Sequence, residues 1–147
     1  MYFDEAEAAI RAHIEERWAA SAYAAMPLVF EAETPPASDY YIAVMIDGIR
    51  GEGSLYGTAG KRFTIEDGIV FYHAFVPQGL GKAAASVPVR LMGTILELQV
   101  IDTGINMDKA NPPSPVGYGN DLVDSAQPAG SFYRVTGSVP FVVISTV

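Results

Sequence analysis

Residues 62–76 read Arg-Phe-Thr-Ile-Glu-Asp-Gly-Ile-Val-Phe-Tyr-His-Ala-Phe-Val, a run of aromatic and β-branched residues interrupted at its centre by Glu66, Asp67 and Gly68. Such a composition belongs to strands, where branched and flat side chains pack well on a pleated surface. Fifteen residues at about 3.3 Å each reach roughly 50 Å, while a chain of this size packs to a radius of gyration near 15 Å. One flat strand would protrude. Asp67-Gly68 is therefore read either as a two-residue hairpin turn or as a bulge inside one bent strand, with the bulge favoured. The odd positions Phe63, Ile65, Ile69, Phe71 and Phe75 keep one parity across Asp67 and are expected to face the core.

Working back towards the N-terminus, residues 40–47 alternate, with Tyr40, Ile42, Val44 and Ile46 on the face expected to be buried. Between these two runs lie glycines 48, 51, 53, 57 and 60, too much permissive backbone for a packed strand. A long mobile loop or the tip of a hairpin is expected over 48–60. Residues 26–33 give a short strand-like run after Pro27, and Thr34, Pro35 and Pro36 then break any regular element. From residue 4 to about 20 the pattern is helical, since Ala6, Ile10, Ile14 and Trp18 recur every four residues. Asp4 and Glu7 resemble a capping box, and Glu7 and Arg11 are correctly ordered for an i, i+4 ion pair. With seven acids against Arg11 and Arg17, residues 1–33 are expected to form the negative face.

Towards the C-terminus, residues 78–81 are a turn and 82–101 read as a second helix, with Val87, Leu91, Ile95 and Leu98 on one stripe and Met92 and Leu96 beside it. Pro88 removes one hydrogen bond from a helix interior, so either Ser86 caps a helix starting at Val87 or the helix kinks near Ala84, the cap being favoured. Residues 103–131 are rich in proline and glycine, with one strand expected near 105–110; long irregular segments of this kind usually serve binding. Residues 132–147 form the final strand, with Tyr133, Val135, Val139, Phe141 and Val143 on one face and Pro140 suggesting an edge or a bulge. The order of elements predicts a single α+β domain over residues 1–147: a mostly antiparallel sheet packed against an N-terminal and a central helix.

The 147 residues are half apolar, 11% aromatic and 18% charged, enough to bury a core without a staple. A net charge of -8 argues against tight binding to phosphate backbones. Cysteine is absent, which removes disulfides, thiolate metal sites and cysteine nucleophiles together. No apolar run is long enough to span a bilayer, and the start of the chain lacks a basic region followed by an apolar one, so a soluble cytosolic product with no membrane partner is expected.

Gly60-Lys61 and Gly81-Lys82 both fail as phosphate-binding loops, because Leu55 and Val76 stand where the first glycine belongs and Arg62 and Ala83 where the hydroxyl belongs. Asp102, Gly104, Asn106 and Asp108 alternate like the start of a calcium loop, but Met107 replaces the required glycine and Pro113 the closing glutamate. Such a stretch is expected to cap its own turns. The only imidazoles are His13, read as a solvated helix residue, and His73, read as a hydrogen-bonded sheet residue. No catalytic residue, cofactor or metal is expected, and the chain is read as a non-enzyme. The rival is a small enzyme or ligand-binding domain using His73 and loop carboxylates.

The leading helix, the short strand at 28–31, Tyr40-Tyr41-Ile42-Ala43-Val44, and the glycine-rich excursion follow one another in an order that is itself informative. Lys61-Arg62-Phe63 running to Gly68-Ile69-Val70-Phe71, Gly79-Leu80-Gly81 before an alanine-rich helix, and Val139-Pro140-Phe141 complete it. Over residues 4–147 this order resembles the tail terminator, or tail-completion, proteins of long-tailed bacteriophages and related particles. The resemblance implies a virion structural protein at the tail neck, assembled in the host cytoplasm. It implies a homo-oligomeric ring, typically a hexamer, on the head-proximal end of the tail tube. Its partners would be the tail tube protein and a head-completion or connector protein, with DNA passing through the lumen without tight binding. By analogy, Arg50, Glu52, Leu55 and Tyr56 would contact neighbouring subunits or the tube, and Tyr118, Leu122 and Val123 the connector. Another head-to-tail connector or neck protein is the nearest alternative.

Overall fold

The computed structural model describes residues 3–31, 33–34, 40–58, 61–77, 79–118 and 132–146. Helix α1 spans Phe3–Ala19, and a short strand β1 follows at Leu28–Phe30. Two long strands come next, β2 over Tyr41–Thr58 and β3 over Lys61–Pro77, then helix α2 over Ala83–Leu96. Short strands β4 (Val100–Ile101), β5 (Ile105–Met107) and β6 (Ser114–Tyr118) lead to β7 over Phe132–Thr146. The strands form one sheet in the order β1-β2-β3-β7-β5-β4, with β6 also on β7. Only β1 and β2 run parallel. The architecture is α+β and mostly antiparallel.

The leading helix forms as its spacing predicts: Ala6, Ile10, Ile14 and Trp18 are all buried. Trp18 Nε1 donates to the Met26 carbonyl at 3.0 Å, which fixes the return of the chain into β1. Arg11 does not pair with Glu7. Its guanidinium lies over the Phe30 ring, 4.4 Å from the centroid, and bonds Glu15 at 2.6 Å and Glu33 at 3.1 Å. His13 is half-buried rather than solvated, and its Nε2 lies 3.1 Å from the Ile95 carbonyl oxygen, tying α1 to α2.

The run 62–76 is one unbroken strand. Every residue from Phe63 to Pro77 is in register with β7, from Thr146 to Phe132. Asp67 and Gly68 are thus neither turn nor bulge. The irregularity sits on the partner strand: Ile49 pairs with Asp67 and Ser54 with Ile65, so residues 50–53 of β2 stand opposite Glu66 alone. Gly68 has a different role. It faces Phe141 across the sheet, and a Cβ there would fall inside the Phe141 ring. Gly137 makes the same accommodation for the Tyr72 ring. Residues 48–58, expected as a loop or tip, continue β2, and the hairpin closes with Thr58 opposite Lys61.

The parity expected for β3 is reversed. Val70, Tyr72, Ala74 and Val76 join the main core, together with Ile42, Val44 and Ile46 of β2 and Val135, Val139, Phe141 and Val143 of β7. Both helices pack on this face. Helix α2 starts at Ala83, ahead of Pro88, and no side chain caps it, so Ser86 is not the cap. Three alanines at 83–85 favour helix strongly enough to form the first turn, and Pro88 then costs only the bond that the Ala84 carbonyl would accept. The buried stripe is Ala85, Val89, Met92, Gly93 and Leu96, not the stripe through Val87 and Leu98, which are exposed. Gly93 decides this, because it lies against the Tyr72 hydroxyl and Ala110 where a larger residue would hold the helix away.

Past Leu96 the helix gives way to β4 and β5, joined through Asp102 and Thr103, both at positive φ. Pro140 is neither at an edge nor in a bulge: it is in register with Ile69, and its carbonyl accepts from the Asp108 amide at 2.8 Å. Its nitrogen therefore points the same way, past the end of β5, where the Asp108 carbonyl accepts from the Leu98 amide at 3.3 Å instead.

Candidate assembly surface

Because α1 and α2 share one side, the opposite face of the sheet has no helix over it among the described residues. The register writes out its rows. Tyr41, Phe75 and Arg134 stand side by side on β2, β3 and β7, followed by Ala43, His73 and Thr136, then Met45, Phe71 and Ser138, then Asp47, Ile69 and Pro140. Tyr41 and Phe75 stack at 4.8 Å and, with Val29, make a small second core. Further along, Met45 and Ile144 are more than a third exposed, and Ile65, Ile69, Phe71 and Val142 are half-buried. The face is thus buried at its Tyr41–Phe75 end and partly exposed further along.

The polar groups of this face are sparse and specific. His73 is 8% exposed, and its Nδ1 lies 2.7 Å from the Thr136 hydroxyl. Burial, reinforced by the positive charge of Arg134, pushes its pKa down to about 4, so the imidazole is neutral at pH 7. Arg134 is only 3% exposed, although it carries a full charge. On the helix side, Tyr72 is held protonated, chiefly by burial and then by Glu97. A cleft of about 470 Å³ at the β5 end of the bare face is lined by Asp67, Asn106, Asp108 and Val142, and His73 is not among its walls. Among the described residues the imidazole thus meets a hydroxyl and a guanidinium, not a carboxylate. Among the described residues no group of three or more acids and imidazoles is placed to hold a metal ion.

The residues singled out in the sequence fall in two places. Arg50 and Glu52 lie in the four-residue stretch of β2 opposite Glu66, while Leu55 pairs with Thr64 and Tyr56 with Phe63 near the closed end of the hairpin. All four lie on β2 within the β2–β3 hairpin, although their side chains lie outside the described residues. Tyr118 ends β6, in register with Tyr133. Leu122 and Val123 lie outside the described residues. Asp108 caps its own turn by accepting from the Lys109 amide at 2.7 Å, as expected for that stretch. Sequence reasoning missed Arg134, whose signal was a lone basic residue inside an otherwise apolar strand.

No family model matches the chain, and no curated protein is similar to it. Among solved structures, one aligns over 97% of this chain and 96% of its own with a TM-score of 0.63 at 16% identity. A likeness at that identity establishes the fold alone. No described helix is long and apolar enough to cross a membrane.

Proposed function

We propose that the chain is a noncatalytic assembly protein that closes the head-proximal end of a phage or phage-like tail tube as a ring of copies, a hexamer by family analogy. The ring would stop tube growth and join the tail to the head through a connector protein. The observation that carries this reading is the two-sided sheet: both helices cover one face, while on the other, which no described helix covers, Met45 and Ile144 are exposed and Ile65, Ile69, Phe71 and Val142 half-buried. A closed ring needs two different complementary surfaces per subunit, and a helix layer on one side with a partly exposed apolar sheet face on the other offers two. The acidic composition suits a lumen through which DNA slides without being held. The same order of elements along the sequence supports the tail terminator family over a general assembly role.

The test is an in vitro joining assay. Tails completed with wild-type protein are expected to join filled heads, whereas Leu55→Asp and Tyr56→Asp, each checked to be folded by circular dichroism, are expected to lower joining at least about tenfold, as loss of an interface anchor does. Wild-type joining by both variants removes the hairpin from the interface. Failure of the wild-type protein to complete tails at all removes the proposed function.

A further inference from the structure

A second cleft, of about 270 Å³, opens on the helix side of the sheet between α2 and residues 110–113, and it gathers polar groups that the assembly reading does not use. Its floor is the Tyr72 hydroxyl. Tyr72 is 1% exposed, yet its hydroxyl makes no hydrogen bond among the described residues, whereas a buried hydroxyl is ordinarily paired. Gly93 leaves room above it: a Cβ there would lie 3.0 Å from the Tyr72 oxygen and 3.1 Å from the Ala110 Cβ. Glu97, half-buried, lines the same cleft one helical turn past Gly93. Its Oε2 accepts from the Ala110 amide at 3.2 Å, and no cation pairs with the carboxylate among the described residues. The carboxylate is close enough to Tyr72 to add to burial in holding the phenol protonated. Val89, Ala110, Pro112 and Pro113 supply apolar walls.

We infer that this cleft is a binding site for a primary ammonium on an alkyl stem, the chemistry of a lysine side chain of a partner or of a free amine. An ammonium has three donors and no acceptor. Glu97 offers it a negative charge that no described cation compensates, and the Tyr72 oxygen offers a second acceptor to the same group. Because the phenol keeps its proton, it accepts through its lone pairs without adding a charge of its own. The alkyl stem then lies along the aliphatic and proline walls, as long cationic side chains do on apolar surface. An anion is selected against, since it would face Glu97. Arg90 also lines the cleft, but it is exposed and stands seven residues from Glu97, about 10 Å along α2. The site is independent of the ring reading, and the failure of either leaves the other standing.

The test is a titration of the full chain, isotope-labelled for amide shifts, with n-butylammonium and separately with an acetylated, amidated lysine, against n-butanol and sodium chloride as controls. Saturable shifts confined to Gly93, Glu97, Ala110 and Asn111 are expected with n-butylammonium and not with the controls. The lysine derivative distinguishes the sources: binding as tight as that of n-butylammonium points to a partner's lysine, and binding at least about tenfold weaker points to a free amine. Glu97→Gln keeps the bond to the Ala110 amide and is expected to weaken binding at least about tenfold. Tyr72→Phe is expected to weaken it severalfold without lowering the melting temperature, since the hydroxyl it removes bonds nothing among the described residues. Arg90→Gln is expected to bind at least as tightly as wild type. Equal shifts with n-butanol, which would mean an apolar crevice filled by water, overturn the site. So does wild-type affinity in Glu97→Gln, or loss of binding in Arg90→Gln.

Discussion

His73 is held neutral by burial and by the charge of Arg134, and this makes folding sensitive to acid. The unfolded chain takes up a proton near pH 6.5, while the folded one resists until about pH 4. Stability is therefore full above about pH 6.5 and declines as the pH falls from there to about 4, by on the order of 2 kcal/mol. His73→Gln, which keeps a hydrogen-bonding group for Thr136, is expected to flatten that decline in urea midpoints taken between pH 7 and pH 4; an unchanged slope would assign the acid sensitivity to other groups. The glycines carry a second prediction at this scale. Gly137→Ala drives a methyl into the Tyr72 ring and Val89, and is expected to cost about 2–3 kcal/mol in a denaturant melt. The His73 environment was legible because an imidazole among alternating apolar residues has to be buried. The role of Gly68 was not: beside Asp67 it carries a local turn signal, and its actual constraint is the Phe141 ring, supplied by a strand far away in sequence.

At the scale of elements, the turn between β4 and β5 stores local strain. Thr103 is β-branched and stands at φ 56, a region that such residues avoid. Thr103→Gly is expected to stabilise the protein by about 0.5–1 kcal/mol because it relieves this conformation, read as an upward shift in melting temperature; no shift would mean that the turn relaxes at no cost. The helices were legible where one stripe alone was apolar, as in α1. In α2 nearly every face is apolar, so periodicity offered two stripes and the choice fell to Gly93, which only the approach of Tyr72 and Ala110 explains. The long strands were misjudged in a related way. Glycines in 48–60 argue against an isolated strand, yet β3, itself paired along its whole length with β7, provides a template on which β2 continues. Strands β4 and β6 have two and five residues, too few to show a period.

For the whole molecule, the decisive property is that both faces of β3 are apolar. The sequence pattern alone does not choose which of them receives the helices, and the expectation that the odd residues face the core chose the wrong one. Once the helices are placed, the same ambiguity becomes information: Ile65, Ile69 and Phe71 remain half-buried on the face that no described helix covers, while Phe75 is buried there with Tyr41 and Val29. That asymmetry is the basis of the proposed assembly reading. The most direct test is to add purified protein to tail tubes and image the mixture by negative stain. Rings in solution, or caps confined to one end of each tube, are the predicted result; tubes left bare at both ends by a protein that remains monomeric would contradict the account.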